Sequence, residues 1–267
     1  MKSYSLLLSA AAVVGGIVSS TSAVIVPVQI TVENLAPANS VSFAPLRFGF
    51  SNGTFDSFAD NQVAPLLGFP SIADAPIVTV AEGGNATNWF PAFAAAEPNS
   101  NRGSVPGPTG PFTPGSSNSA TFMVDTTNPF FTFGSMVVPS NDHFVGNDSP
   151  TQYRIFDAGG NLILGSIGQK ARAIWDAGSE TQDPANAAFL VGGVNAQRVN
   201  ENGVVHFDFA GLSTFNGLTT AAGYNFNSGL ITANSDILRI SFAAVPEPAT
   251  AALLGLGCLA VGLRRRN

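Results

Sequence analysis

Apolar and polar residues alternate with a period of two from the 24th position onward. Val24, Val26, Val28, Ile30 and Val32 fall on one side and Gln29, Thr31 and Glu33 on the other. That is the pattern of a strand with one buried face. Shorter segments of the same kind occupy residues 41–50, 120–124, 131–138, 153–156, 162–164, 171–175, 204–209 and 237–242. Phe156 and Leu162 flank Asp157-Ala158-Gly159-Gly160-Asn161, a link of turn formers that predicts a hairpin. Two stretches break the alternation. Residues 56–97 contain alanine-rich pieces that predict one or two short helices, one of them over 89–96, with Trp89 and Phe93 four apart on a core-facing side. Residues 97–119 are rich in Pro, Gly, Ser and Asn, with Pro106-Gly107-Pro108 and Pro114-Gly115, and predict a long surface loop. The pattern as a whole predicts an all-β, antiparallel sandwich with one or two short helices, and one domain rather than two, since the strands before the loop are too few for a core of their own.

Both ends depart from this pattern. Met1-Lys2 precedes an apolar run over 6–18 and then Ser19, Ser20, Thr21, Ser22 and Ala23, the order of a removable secretion signal spanning 1–23. At the far end Val245-Pro246-Glu247-Pro248 is followed by an apolar stretch over 249–263 and then Arg264, Arg265 and Arg266. Fifteen such residues make roughly 22 Å of helix, short of a ~30 Å hydrocarbon core. A short span with a basic stop holds its arginines on the cytoplasmic side and the body outside. This tail resembles the PEP-CTERM sorting signal of Gram-negative bacteria. The resemblance implies an exosortase-type processing partner, transient anchoring in the inner membrane through 245–267, and export of the 24–244 body to the cell envelope or beyond. Pro246, Glu247, Pro248 and Arg264 to Arg266 are the signal residues it implies.

Composition narrows the function of the body. It carries seven Lys or Arg against sixteen Asp or Glu, a balance of about −9. Nucleic acid and anionic lipid both demand a basic face and are excluded as partners of the body. The one cysteine, Cys258, lies in the tail, so the body has no disulfide to hold its loops, and a bound metal is a candidate substitute. With 28 Gly, 18 Pro and 21 Phe in the chain, the turns and aromatics suit a sandwich or barrel.

The acids concentrate at strand ends. A strand ending at Pro139 releases a loop with Asp142 and Asp148, and a second strand ends in Trp175-Asp176-Ala177-Gly178-Ser179-Glu180. Paired carboxylates on strand-end loops suit Ca²⁺, which takes six to eight oxygens. Asp and Gly are also ordinary turn residues, so the spacing alone leaves metal ligands and turn caps both open. Ser140-Asn141-Asp142-x-Phe144-x-Gly146, the Asp176-to-Glu180 run, Ile30 to Leu35, Ala81-Glu82-Gly83-Gly84 and Glu201 to His206 together resemble the spondin N-terminal domain. That resemblance implies an extracellular sandwich similar to calcium-dependent lipid-binding domains, with calcium among loops at one end. Carried over by position, Asp142, Asp176 and Glu180 are its ligands, with Asp148 and then Glu82 behind them. Phe144 stands where animal members usually have Trp, and their cysteines are missing here. The implied role is non-enzymatic adhesion or matrix assembly, with exopolysaccharide or another surface protein as partner. The alternatives are a carbohydrate-active enzyme using Asp142 and Glu180, and a purely structural matrix protein.

Other motifs are set aside. Gly49-Phe50-Ser51-Asn52-Gly53 fits the Gly-x-Ser-x-Gly nucleophile elbow, with Asp176 and His206 downstream, but no βαβ alternation supplies the strand–turn–helix it needs. His206 is expected on an exposed sheet face. His143 sits in the acidic loop, but one histidine without cysteine is a poor zinc site.

Overall fold

The computed structural model describes residues 24–245. The secretion signal over 1–23 and the sorting residues Pro246, Glu247, Pro248 and Arg264 to Arg266 lie outside the described residues. Among the described residues no helix is long and apolar enough to cross a membrane.

Two antiparallel sheets face each other. The smaller has strand order β5-β1-β11-β8, from β1 (Ile25–Asn34), β5 (Ser117–Asp125), β8 (Ser166–Lys170) and β11 (Asp236–Ala244). The larger has order β10-β9-β7-β6-β3-β4, from β3 (Leu46–Ser51), β4 (Asn101–Val105), β6 (Phe130–Val138), β7 (His143–Gly146), β9 (Trp175–Asp176) and β10 (His206–Phe207). The two-residue β2 (Ser42–Phe43) also pairs with β6. The alternation read in β1 is observed: Val28, Ile30 and Val32 are buried and meet Phe48, Phe50 and Phe131 of the opposite sheet in one core cluster. Phe50, Phe131 and Phe242 interlock edge to face across the sheets, with centroids 4.9–6.3 Å apart.

The larger sheet is covered on its outer face as well. Helix α1 (Pro76–Gly83) and helix α2 (Trp89–Ala96) lie there with Phe55, Phe58, Phe144 and Trp175 in a second core cluster. This explains why β6 is buried at eight consecutive positions instead of alternating: both of its faces are covered.

Three expectations are corrected. The stretch 97–119 is not one loop, because β4 within it pairs along β3 from Leu46↔Val105 to Phe50↔Asn101. The 153–156 and 162–164 segments form only isolated bridges, Phe130↔Arg154 and Phe156↔Leu162, although the hairpin turn between them is present, tied by the Asp157 side chain. The 171–175 segment opens as a 3-10 turn at Ala171–Ala173 and becomes strand only at Trp175.

Candidate functional site

The short strands β7, β9 and β10 set the site. In their register His143 opposes Asp176, which in turn opposes His206. Directly opposed residues share a sheet face, so one aspartate stands between two imidazoles in a row. In the next row Phe144 and Trp175 point to the other face and pack in the second core, and Trp175 stacks on the exposed Phe207 at 3.6 Å. Gly178 keeps the loop after β9 close to the chain that feeds β10. Its φ is +62°, and a Cβ there would lie 2.6 Å from the backbone N and O of Val204, so both conformation and space demand glycine.

The expected ligands Asp142, Asp176, Glu180 and Glu82 come together here, all buried. Asp142 is fully enclosed. Its Oδ2 accepts hydrogen bonds from the Ser179 and Glu180 amides, at 2.8 and 3.0 Å, and contacts Ser179 Oγ at 3.1 Å. Glu180 Oε1 accepts from Asn141 Nδ2 at 3.0 Å. Asp176 Oδ1 accepts from the Gly178 amide at 2.6 Å, and its Oδ2 from Gln182 Nε2 at 3.2 Å. Glu82 projects from α1 and is held by Arg198 through both carboxylate oxygens, at 2.6 and 2.7 Å, and by Ser179 Oγ at 2.8 Å. One ligand expectation is not met. Asp148 is separated from Asp142 by the whole of β7, roughly 3.3 Å per residue, and lines a separate cleft of about 650 Å³ with Lys170, Arg172, Trp175 and Phe207.

The cluster is short of cations and protons. Glu82, Asp142, Asp176, Glu180 and the adjacent Asp208, five carboxylates, face one arginine, Arg198, and the imidazoles of His143 and His206. Ser179 has one hydroxyl proton, yet its oxygen lies within hydrogen-bond distance of both Glu82 and Asp142 carboxylates. Two buried carboxylate oxygens, Asp142 Oδ1 and Glu180 Oε2, have no hydrogen-bond partner among the described residues. Ionised carboxylates buried without partners are costly, so such groups take up protons or a metal. Burial, reinforced by the Asp176 charge, pushes the Asp142 carboxyl up to about 7. Burial likewise pushes Glu180 to about 7, against the Asn141 hydrogen bond and with the help of the Glu82 and Asp142 charges.

The structure also brings in residues that sequence reasoning placed elsewhere. His206 is not on a free sheet face: it is half-buried beside Asp176, and ligand atoms of Asp176, His206 and Asp208 lie within 4.8 Å of one another. A second such group, Asp142, His143 and Asp176, shares the same aspartate. Burial lowers the affinity of His143 for a proton, but a contact with Asp208 and the charges of Asp176 and Asp142 outweigh it and raise its pKa. The same contact holds Asp208 down at about 2. The pairing of two-residue strands that assembles this row leaves no periodic signal in a sequence.

The comparisons with known proteins bear on the tail. Residues 244–266 match the PEP-CTERM protein-sorting motif. The chain is thus an exported protein, transiently anchored through its C-terminal tail and handled by an exosortase. The match does not extend to the body, and no family match supports the spondin N-terminal domain. No curated protein matches the chain.

Proposed function

We propose that the exported body is a calcium-stabilised, non-enzymatic domain serving adhesion or matrix assembly in the cell envelope, with exopolysaccharide or another surface protein as its partner. The observation that carries the calcium reading is the pair of fully buried, unpartnered oxygens, Asp142 Oδ1 and Glu180 Oε2, inside a cluster with more carboxylates than cations. The donor set fits the ion: carboxylate oxygens, loops free to supply backbone carbonyls, and no thiolate in the body. Asp142, Glu180 and Asp176 would hold it. Glu82, engaged by Arg198 and Ser179, would orient the 179–180 loop from behind. A bound calcium would supply positive charge that locks the loops joining β6 to β7 and β9 to β10, the work a disulfide does in other exported domains.

Full burial also weighs against the carbohydrate-cleaving alternative. Such enzymes set two carboxyls across a groove open to substrate. Asp142 and Glu180 have no exposed surface, and neither lines the cleft beside Trp175.

Cells carrying the unaltered chain are expected to aggregate or retain matrix in calcium, to lose this in a chelator, and to lose it in calcium when Asp142→Asn replaces the wild type. Equal aggregation in cells lacking the protein altogether would remove the adhesion role, whatever the metal does.

A further inference from the structure

Beside the calcium cluster, sharing Asp176 with it and drawing on His143 at its edge, we propose a second metal site that takes a transition ion such as Zn²⁺ on His206, Asp208, Asp176 and His143. His206 and Asp208 each have one polar atom tied down and another left for a ligand, while the inward atoms of the other two, Asp176 Oδ2 and His143 Nε2, are both met by Gln182 Nε2, at 3.2 and 3.4 Å. His206 Nδ1 lies 3.0 Å from the Val204 carbonyl, which fixes the ring and leaves Nε2 as its ligand atom. Asp208 Oδ1 accepts from the Gly211 amide at 2.8 Å, which leaves Oδ2. Asp176 Oδ1 is taken by the Gly178 amide. His143 Nδ1 meets Gln182 at 2.8 Å, and its Nε2 stands 3.4 Å from Asp208 Oδ2 and 4.0 Å from Asp176 Oδ2. Metal-binding imidazoles and carboxylates are characteristically oriented by such outer contacts.

The chemistry of the set differs from that of the calcium cluster. Two imidazoles and two carboxylates suit zinc, which takes four nitrogen or oxygen ligands at about 2.0–2.2 Å, whereas calcium wants oxygen alone. Ligands around a tetrahedral zinc stand about 3.3–3.6 Å apart. The His143–Asp208 pair already has that spacing, and the Asp176, His206 and Asp208 atoms lie within 4.8 Å. The remaining closure falls on His206 and Asp208, the half-buried members. Two ionised aspartates and a divalent ion also balance in charge.

Two features outside the four residues fit the same occupant. A Cβ at Gly211 would lie 2.0 Å from Asp208 Oδ2 and 3.3 Å from His143 Nε2. The φ of Gly211 is not in the left-handed region, so the constraint here is one of space: a side chain at 211 would displace the Asp208 carboxylate from its place beside His143. Gln182 Oε1 is a buried atom without a hydrogen-bond partner among the described residues. With a metal on His143 Nε2 the ring proton must sit on Nδ1, and a half-turn of the Gln182 amide gives that proton its acceptor while releasing Asp176 Oδ2 to the ion.

The test is titration of the full chain, stripped of metal and then saturated with Ca²⁺, with ZnCl₂ alone, followed by calorimetry and elemental analysis. One zinc per chain is expected. His206→Ala and Asp208→Asn should each weaken binding at least ~10-fold while leaving the calcium-dependent melting shift in place. Asp142→Asn should do the reverse, abolishing the calcium shift and sparing zinc. Absence of zinc binding, or binding that survives both His206→Ala and Asp208→Asn, overturns the proposal. So does zinc binding that vanishes with Asp142→Asn, which would place zinc in the calcium cluster. Asp208→Asn is nearly isosteric and keeps the Gly211 contact, so a loss there reports on the ligand and not on folding.

Discussion

Replacing Asp142 by asparagine reverses its effect on stability according to pH and calcium. In the metal-free protein burial holds the Asp142 carboxyl at about 7 against an ordinary value of 3.8. At about 1.4 kcal/mol per pH unit that interval corresponds to about 4 kcal/mol. The sign follows from the direction. Below about pH 4 the carboxyl is protonated in folded and unfolded chains alike, so its contribution is fully present. As pH rises toward about 7 the unfolded chain ionises freely and the native one does not, so stability is progressively lost. Glu180, also raised to about 7, loses stability over the same window. Asparagine keeps an oxygen for the Ser179 and Glu180 amides and carries no charge. Metal-free Asp142→Asn should therefore match the wild type below about pH 4, exceed it by about 1–2 kcal/mol at pH 5, and exceed it at pH 8 by up to about 4 kcal/mol, or roughly 8–16 °C for a domain of this size. At pH 8 calcium closes this gap, and above about 1,000 times its dissociation constant the order inverts, because only the wild type gains the binding energy of about 4 kcal/mol or more. Urea or thermal unfolding at pH 5, 6, 7 and 8, with and without calcium, reads all four cases. Metal-free wild-type stability that stays flat from pH 5 to 8, with Asp142→Asn the weaker protein throughout, would refute the reasoning, since Asp142 would then be ionised and satisfied without a metal.

Three further outcomes follow from particular contacts. Gly178→Ala must hold a φ of +62° and place a Cβ 2.6 Å from the Val204 backbone, so calorimetry should show a loss of about 2–3 kcal/mol or more, together with the calcium response. Arg198→Ala leaves the Glu82 carboxylate, now held at 2.6 and 2.7 Å, without its counter-charge; urea unfolding at pH 7 should show a loss of about 2–3 kcal/mol, below the value for a fully enclosed pair because the guanidinium is partly exposed. Replacing both Pro246 and Pro248 by alanine in the sorting motif should leave full-length chain in the membrane fraction by immunoblot, where the wild type is shortened.

The parts of the fold legible in the sequence are those whose residues face one environment at a time. In β1 and β11 one side is core and the other is exposed or half-buried, so alternation survives into the residue pattern. Helix α2 was legible because Trp89 and Phe93, one turn apart, both enter the core. β4 was hidden because Asn101, Arg102, Gly103 and Ser104 have no strand character of their own; their strand state comes from the hydrogen bonds of β3. In the site, the acid–glycine loops at strand ends were legible as loops, while the choice of Asp142, Asp176 and Glu180 as ligands came from the spondin resemblance, which no family match supports. Asp148, ranked behind those three, shares the loop sequence with Asp142 but lies at the other end of β7. His206 and Asp208 were missed because their neighbours arrive through strand pairing and not through the chain itself.

The central claim is that calcium occupies the Asp142–Asp176–Glu180 cluster. The most direct measurement is thermal unfolding of the protein at pH 8 in excess calcium and after metal stripping, with elemental analysis of both samples. A ligand at 100 times its dissociation constant stabilises by about 2.7 kcal/mol, which moves the midpoint of a domain this size by roughly 5–11 °C. The account predicts a shift of at least that order, one calcium per folded chain, and loss of both in Asp142→Asn. Coincident melting curves from samples proven free of metal before calcium was added would contradict it, and would leave the acidic loops as turns.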